Sequence, residues 1–343
     1  MSRRLALLTP FAFPSIRGNA VTVERIARGL RAQGAELEVW DLSTMTPSSI
    51  ERRASEYQPA LIHAFHAYRA GPLGLTLARR IGCPLVVTLT GTDVNLDLFD
   101  AERTAAVRQV LESAAAVTVF HDSAATLAAR AVPGVPARVV IVPQSVDLPD
   151  PGLAPGTAPG VRGPVMLFPA GIRPVKRPRF PLASLDAVAG GYPSFELRYV
   201  GPILDAVEGA ALLRALDGRP WARYLGEVPH AAMPALLRDA DVVLNCSLSE
   251  GGMANSVLEA LAFGRAVLAS DIEGNRSVIE EGVTGFLFSG PDDFTDKAAR
   301  LLNDAGLRGR LGEAGRARVA RLGLQEEIER YARLYASLTH ACP

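Results

Sequence analysis

Short apolar runs alternate with amphipathic stretches along most of the chain. In the first 147 residues, six such runs are bounded by polar, Gly or Pro residues and predict buried strands. They are Leu5–Thr9, Leu37–Trp40, Leu61–Ala64, Leu85–Leu89, Ala116–Phe120 and Val139–Val142. Helical patterns lie between them, as at 20–33, where Val21, Ile26 and Leu30 share one face before Gly34 ends the helix. The repetition of strand and helix predicts a parallel, doubly wound sheet.

The alternation breaks at 148–164, LPDPGLAPGTAPGVRGP, where five prolines and four glycines in seventeen residues predict a linker. It then restarts with six more predicted strands: Val165–Pro169, Phe195–Val200, Ala222–Leu225, Asp241–Asn245, Ala266–Ser270 and Gly285–Phe288. After Gly290 three helical stretches remain, over 294–302, 305–322 and 325–338. We expect these helices to dock on the two sheets.

The patterns predict an α/β protein with two Rossmann-like, doubly wound parallel sheets that face each other across a cleft. The N-terminal domain is expected at 1–147 and the C-terminal domain at 165–322, joined by the linker at 148–164. The last helix, within 323–343, is expected to pack back on the N-terminal domain. Ligands of such sheets bind beyond the carboxyl ends of the strands, so we expect the chemistry in the cleft.

Composition narrows the function classes. The 36 Lys and Arg residues balance 36 Asp and Glu residues, so no strong basic field is available to hold nucleic acid, and a phosphate site has to be local. Three scattered cysteines exclude a disulfide framework and a C-x-x-C metal or redox site, which favours a cytoplasmic protein. No apolar run is long enough for a transmembrane helix. Peripheral membrane contact and the oligomeric state stay open.

The first segment with candidate chemistry is Phe168–Pro178, which follows the first predicted strand of the second domain. Its Arg173 and Lys176 leave the sheet at the ligand-binding edge, where a planar guanidinium and a mobile ammonium suit an oligophosphate. The alternative is a solvated basic turn, because Arg177 and Arg179 stand in the same segment.

A second segment, Ser247–Ala260, follows a predicted strand and opens a helix that runs to about Phe263. Gly251 and Gly252 allow close backbone approach, and the free N–H groups at the helix start suit a phosphate. Glu259 lies within the helix and Glu250 before it, where each carboxylate can accept sugar hydroxyls. The alternative makes Glu250 a helix N-terminal charge and Glu259 a surface residue.

Three segments of the first domain follow strands. Gly18 and Asn19 lie in a loop that permits close backbone approach but lacks a full G-x-G-x-x-G, so a dehydrogenase is disfavoured. His66 ends the HAFH segment and is either a site imidazole or a satisfied polar residue. Asp93 and Asn95, in GTDVN, either accept hydroxyls or cap the next helix, and capping is the preferred interpretation for Asn95.

Together these segments resemble glycosyltransferase family 4, the retaining, nucleotide-sugar-dependent enzymes of the GT-B fold. The second domain carries the resemblance most specifically, through GIRPVKRP, SEGGMANSVLEALAFGRAVLASDIEGN and GVTGFL. The first domain contributes RGNAVTVERIARGL, HAFHAYRAG and TLTGTDVN, and is most similar to glycosyltransferase 1 domain-containing proteins and to bacterial selenosugar synthases.

The resemblance implies a role for each matching position. Arg173 and Lys176 would hold the donor diphosphate, Glu250 the transferred sugar, Glu259 the nucleotide ribose, and His66 the donor sugar near the reacting carbon. The loop at Gly18 would approach the diphosphate, and 226–228 would border the base. The full set of implied substrate contacts is Gly18, Asn19, Asp93, Gly226, Val228, Gly251, Gly252, Met253, Ala254, Asn255 and Glu259. No metal site or cofactor is implied beyond the nucleotide-sugar donor.

Three features depart from the family pattern. Glu250 and Glu259 are nine positions apart, where the family spaces its two glutamates by eight. Thr90 stands where a His is frequent, which weakens inference about acceptor contacts, and Gln144-Ser145 replaces Asn-Gly on the hinge side.

The resemblance predicts a retaining, metal-independent hexosyltransferase that moves a hexose or N-acetylhexosamine from a UDP-sugar, as first guess, to an unidentified acceptor. Three alternatives remain: selenosugar-synthase-like transfer to an inorganic nucleophile, a sugar phosphorylase, and a non-catalytic nucleotide-sugar-binding protein. The glutamate spacing and Thr90 give the last alternative its support.

Overall fold

The computed structural model describes residues 4–15, 17–147, 163–192, 194–250 and 252–340. Most of the predicted linker, residues 148–162, lies outside the described residues, as does Gly251. The chain forms two compact units. Unit 1 takes the described parts of Met1–Ser145, Gly251–Met253 and Leu322–Pro343, and unit 2 takes those of Val146–Glu250 and Ala254–Arg321.

Unit 1 is built on a six-stranded parallel sheet. Its strands are β1 (Leu5–Thr9), β2 (Leu37–Asp41), β3 (Leu61–Phe65), β4 (Leu85–Thr88), β5 (Ala116–Val119) and β6 (Val139–Ile141), in the order β2-β1-β3-β4-β5-β6. The chain leaves β1 toward one edge of the sheet and leaves β3 toward the other. The loops after these two neighbouring strands therefore diverge, and that switch point is where ligands of doubly wound sheets bind.

Five helices connect the strands of unit 1. They are α1 (Gly18–Ala32), α2 (Pro47–Tyr57), α3 (Gly71–Ile81), α4 (Thr104–Ser113) and α5 (Asp122–Ala131). Their apolar faces cover both sides of the sheet, which is why its strands are continuous apolar runs.

Unit 2 repeats the plan. Its strands are β7 (Val165–Pro169), β8 (Glu196–Val200), β9 (Ala222–Tyr224), β10 (Val242–Asn245), β11 (Ala266–Ser270) and β12 (Phe286–Phe288), all parallel in the order β12-β11-β10-β7-β8-β9. Its helices are α6 (Phe180–Ala189), α7 (Ala206–Leu216), α8 (Met233–Asp239), α9 (Asn255–Ala262), α10 (Glu273–Arg276), α11 (Pro291–Asn303) and α12 (Ala305–Val319). The switch point of this sheet lies between β7 and β10.

The last helix, α13 (Leu324–His340), belongs to unit 1 although it follows unit 2 in the chain. The hydroxyl of Tyr335 lies 2.6 Å from Nδ1 of His63, a fully buried residue of β3. Glu327 accepts two hydrogen bonds from the guanidinium of Arg25 on α1, each 2.9 Å long. Polar contacts as well as apolar packing therefore hold α13 on the first sheet.

The predicted fold class is confirmed: two six-stranded parallel sheets flanked by helices. Most strands end within one residue of the predicted bounds. β4, for example, ends at Thr88, although the N–H of the next residue, Leu89, still donates to the carbonyl of Thr118 in the neighbouring strand β5. Within the described ranges, no helix combines the length and apolarity needed to cross a bilayer.

Candidate functional site

Two loops meet at the switch point of unit 2, one after β7 and one after β10. The N–H of Leu248 donates to the carbonyl of Val175 over 2.8 Å, and Nε of Arg177 donates to the carbonyl of Cys246 over 2.7 Å. Arg177 has a left-handed φ of 47°, with its guanidinium over the ring of Phe180. These bonds fix the two loops that carry the predicted cations and carboxylates.

Lys176 and Glu250 face each other across this switch point. The ammonium of Lys176 forms an ion pair with Oε1 of Glu250, which also accepts from Ser247 Oγ at 2.7 Å and Asn245 Nδ2 at 3.2 Å. Burial by itself raises the pKa of Glu250, but Lys176 and the two other donors outweigh it and leave that pKa below its ordinary value. Glu250 is therefore a mostly buried carboxylate whose negative charge is compensated by Lys176.

Arg173 lies at the start of the same loop, before the short 3-10 turn Pro174–Lys176, and is exposed. The structure thus brings Lys176 and Glu250 into contact and places Arg173 on the solvent side of the loop. The proposed contact of Arg173 with a diphosphate stays a prediction.

Glu259 lies in the second turn of α9, the helix that follows the β10 loop. Its Oε1 is 2.8 Å from Nε2 of His230, which follows β9. Ala254 precedes α9 in an extended conformation, and Asn255 is its first residue. Gly252 and Met253, both buried, are grouped with unit 1, whereas Ala254 starts the next segment of unit 2.

Two glycines shape the loops after β8 and β9. Gly201 has a φ of 141° and lies so close to Ala170 that an added Cβ would fall 2.3 Å from its carbonyl oxygen. Its N–H donates to the carbonyl of Gly226, whose own φ is 85°. Val228 follows in the same loop, half-buried. This loop leads directly to His230.

In unit 1, His66 stands immediately after β3 with a φ of 89°, a region that a residue with a side chain rarely adopts. Its Nδ1 accepts from the backbone N–H of Arg69 at 3.2 Å, so Nε2 carries the proton and donates to Thr92 Oγ1 at 2.8 Å. The carboxylates of Asp93 and Asp97 lie 3.9 and 3.8 Å from the ring nitrogens. The strained backbone and this set of partners fix the imidazole at the carboxyl end of the strand.

Asp93 is fully buried. Its carboxylate accepts hydrogen bonds from the backbone N–H groups of Ala67, Thr90, Gly91 and Val94. Its carboxylate therefore organises the loop after β4 and anchors it to the loop after β3. Contact with a substrate hydroxyl stays a prediction. Asn95 lies inside the one-turn π-helix Asp93–Asp97, so the expectation that it caps the next helix is wrong: α4 begins only at Thr104.

Gly18 and Asn19 are the first two residues of α1. Asn19 Nδ2 lies 3.5 Å from Thr9 Oγ1, a long contact that spans the β1 loop. The guanidinium of Arg17, the residue before the helix, lies 3.7 Å from the ring centroid of Phe11. Both predicted residues therefore stand at the carboxyl end of β1, as a ligand-binding loop requires.

The Gln144-Ser145 pair, which replaces Asn-Gly, has defined partners. Gln144 donates to Thr22 Oγ1 over 3.1 Å, and the N–H of Ser145 donates to Glu327 over 3.2 Å. Side chains of α1 and α13 therefore hold this pair in place.

Sequence reasoning missed several residues that hold these groups in place, above all His230, Ser247 and Thr92. Ser247 begins a segment that the motif already contained, and Thr92 stands beside Asp93 in GTDVN. His230 had no local signal, because it lies 29 positions before its partner Glu259 in the chain. Within the part of the chain that the structure describes, no cluster of three His, Cys, Asp or Glu side chains could hold a metal ion.

Two family models match the chain. Residues 40–144 match a "Glycosyl transferase 4-like domain" and residues 163–304 match "Glycosyl transferases group 1". The second match contains both the Lys176 loop and helix α9.

Two relatives of this chain are named as glycosyltransferases, as are the two family models. The chain is 29% identical over 306 residues to glycosyltransferase 1 domain-containing protein 1 of Xenopus tropicalis, which covers 86% of each chain. It is 30% identical over 280 residues to the D-inositol 3-phosphate glycosyltransferase of Kribbella flavida, covering 74% of this chain and 65% of that one.

Many solved structures share the fold, among them two at 17% identity. Sucrose-phosphate synthase from Thermosynechococcus elongatus has a TM-score of 0.83, with 99% of this chain and 100% of that one covered. Anabaena HepE in complex with UDP and glucose has a TM-score of 0.78, with 98% and 100% covered. The chain therefore belongs to the glycosyltransferases of the GT-B fold, with a glycosyl transferase 4-like domain followed by a glycosyl transferases group 1 domain.

Proposed function

We propose that the protein is a retaining, metal-independent glycosyltransferase that moves a hexose or N-acetylhexosamine from a nucleotide diphosphate sugar, with a UDP-sugar as the first choice. The observation that carries the proposal is the Lys176–Glu250 ion pair at the switch point of unit 2. It puts a cation and a carboxylate side by side at the edge where doubly wound sheets bind nucleotides. The choice of UDP draws support from the HepE structure, whose ligands are UDP and glucose.

In this proposal Lys176 stabilises the leaving diphosphate. An ammonium has three N–H donors, and one of them is directed at Glu250 in the structure. The remaining donors would meet phosphate oxygens, while Arg173 would add bidentate contacts from the start of the loop. Fixed cations at the leaving group lower the barrier because their charge is already in place when the diphosphate departs.

Glu250 and Glu259 would bind the two sugars of the donor. The lowered pKa of Glu250 keeps it ionised at neutral pH, as an acceptor of hydroxyls from the transferred sugar needs. Glu259, held by His230 in the second turn of α9, would accept the ribose hydroxyls. The N–H groups at the start of α9, at Asn255, suit the phosphates.

The chemical step needs no covalent enzyme intermediate. The bond between the anomeric carbon and the diphosphate oxygen breaks, and its electron pair stays on the diphosphate. The acceptor oxygen forms its bond to the same carbon on the face that the diphosphate leaves, and its proton passes to a diphosphate oxygen. Attack from that face retains the configuration, with His66 placed by resemblance beside the reacting carbon.

The experiment is incubation of the protein with UDP-glucose and UDP-N-acetylglucosamine, with and without EDTA. The proposal predicts release of UDP that EDTA does not abolish, and an α-anomeric product by NMR. Dependence on added magnesium would contradict metal independence. A product with the inverted anomeric configuration would contradict the retaining mechanism. Formation of a sugar 1-phosphate from a glycoside and free phosphate, without a nucleotide sugar, would favour a phosphorylase. UDP binding without any turnover would favour a non-catalytic protein.

A further inference from the structure

The carboxylate of Glu250 is held from the side of the strand that precedes it. Asn245 is the last residue of β10, and its Nδ2 donates to Oε1 of Glu250 over 3.2 Å. Ser247, two positions later, donates its hydroxyl to the same oxygen over 2.7 Å. These two neutral donors and the ammonium of Lys176 therefore converge on one carboxylate oxygen.

The two neutral donors are themselves fixed. The N–H of Ser247 donates to Oδ1 of Asn245 over 3.1 Å, so the amide nitrogen Nδ2 is the atom that faces Glu250. The carbonyl of Ser247 accepts from Ser270 Oγ over 2.6 Å, and the carbonyl of Ser270 accepts from Asn275 Nδ2 over 2.9 Å. All four of these supporting residues are buried. The donors to Glu250 are therefore anchored to the ends of β10 and β11.

This anchoring bears on the spacing of the two glutamates, which is one position longer than in the family pattern. The three donors described above belong to the loop after β7 and to the end of β10, whereas helix α9 follows Glu250 in the chain. The additional residue lies between Glu250 and Glu259, on the α9 side. It leaves the contacts of the Glu250 carboxylate with β10 intact.

Lys176 is the one charged donor of the three, and the proposed function also assigns it to the diphosphate. A diphosphate carries more negative charge than a carboxylate, so it attracts the ammonium and repels Glu250. A carboxylate held by Lys176 alone would lose its position as the donor binds. The hydrogen bonds from Asn245 and Ser247 do not depend on that charge.

We propose that Asn245 and Ser247 are positioning residues, which keep the carboxylate of Glu250 at the transferred sugar while Lys176 turns to the diphosphate. A carboxylate that binds a reacting sugar has to stay within a fraction of an ångström of its productive place. Two neutral donors on rigid strand ends meet that need. This assignment rests on the proposed function, because it concerns the same carboxylate.

The first test compares Ser247→Ala with the unmodified full-length protein, by steady-state kinetics with the UDP-sugar that the protein turns over and by calorimetry with UDP. The variant frees the carboxylate of Glu250 to rotate, so we expect kcat to fall about tenfold. UDP lacks the transferred sugar, and its affinity should change less than about twofold. Ser249→Ala is the matched control and should leave both unchanged, because the hydroxyl of Ser249 lies in the same loop and makes no hydrogen bond among the described residues.

A double-mutant cycle separates positioning from a purely structural role. In a Glu250→Ala background, Ser247→Ala should lower kcat less than about twofold, because the group that it positions is gone. Equal losses in the two backgrounds, or a loss of UDP affinity in Ser247→Ala, would show that Ser247 only supports the loop and would overturn the assignment alone. Failure of the unmodified protein to bind UDP, or full turnover in Glu250→Ala, would overturn the proposed function and this assignment with it.

A crystal structure of the UDP complex gives a readout that does not depend on turnover. We expect Oε1 of Glu250 to stay within hydrogen-bond distance of Ser247 Oγ and Asn245 Nδ2 while Lys176 contacts the diphosphate. A carboxylate that leaves both neutral donors and follows Lys176 would overturn the assignment.

Discussion

Arg25 and Glu327, 302 positions apart in the chain, form a buried bidentate ion pair with two hydrogen bonds of 2.9 Å. The same carboxylate accepts from the N–H and the hydroxyl of Ser145. The carboxylate of Glu327 on α13 therefore links α1 with Ser145, the last residue of the first segment of unit 1. Since both charged groups are buried, each depends on the other for compensation.

We expect Glu327→Gln to destabilise unit 1 by about 3 to 5 kcal/mol, because it leaves the guanidinium of Arg25 buried and uncompensated. Urea unfolding in a Trp221→Phe background measures this, since Trp40 is then the only tryptophan and reports unit 1. The double variant Arg25→Met/Glu327→Leu should recover most of the loss.

The control for this prediction is Glu326→Gln on the same helix. Glu326 pairs with Arg330 at the surface, where ion pairs contribute little, so the expected change is below about 0.5 kcal/mol. Equal effects of the two variants would show that the buried pair has no special role.

The buried imidazole of His63 makes unit 1 sensitive to acid. Burial lowers the pKa of His63 to about 3, whereas an unfolded histidine titrates near 6.5. Below pH 6.5 only the unfolded state takes up the proton, so the stability of unit 1 falls as the pH falls, by about 1.4 kcal/mol per pH unit, until the pH approaches 3.

His63→Gln should remove this dependence between pH 6 and 4.5, as measured by urea unfolding with Trp40 fluorescence. Carboxylates contribute equally to both proteins, so the difference in slope isolates the histidine. His230→Gln, in unit 2, is the matched control and should keep the slope. Parallel pH profiles for the unmodified protein and His63→Gln would refute the assignment.

Glu259 is predicted to recognise the nucleotide ribose. Glu259→Leu should weaken UDP binding by about 1.5 to 3 kcal/mol, the range for hydrogen bonds to a charged group, and should not weaken binding of 2′,3′-dideoxy-UDP. Calorimetry with both ligands provides the comparison. An equal loss for both nucleotides would place Glu259 away from the ribose.

Glu250 is predicted to act on the transferred sugar rather than on the nucleotide. Glu250→Gln should lower kcat by about 10- to 100-fold while UDP binds as well as before or more tightly, because the variant removes a negative charge beside Lys176. Steady-state kinetics with UDP-glucose and UDP calorimetry separate the two effects. A loss confined to UDP affinity would contradict this role.

The sequence predicts the parallel sheets well because each buried strand is a short apolar run with clear punctuation. Ala266–Ser270 and Val165–Pro169, for example, match the observed strands residue for residue. No local pattern encodes the strand order or the contacts that hold α13 on unit 1, such as Arg25–Glu327 and His63–Tyr335. These contacts and the strand order emerge only from the structure.

In the candidate site, too, local patterns predict the positions of residues but not their contacts. Lys176 and Glu250 were predicted from their positions after strands, and the structure adds that they pair. The sequence could not predict that Asp93 anchors the backbone, because an aspartate in a loop motif can accept from a ligand or from a main-chain N–H. It also could not predict that His230 contacts Glu259.

The central claim is that the loop cation Lys176 holds the donor's pyrophosphate as the glycosidic bond breaks. The direct test compares UDP with UMP, and turnover of UDP-glucose, in the unmodified protein, in Lys176→Ala and in Arg179→Gln, a control whose guanidinium pairs with Glu208. The account predicts that Lys176→Ala loses about 2 to 4 kcal/mol of transition-state stabilisation and most of the preference for UDP over UMP, while Arg179→Gln retains both. A folded Lys176→Ala protein with unchanged turnover and an unchanged UDP-to-UMP affinity ratio would contradict it.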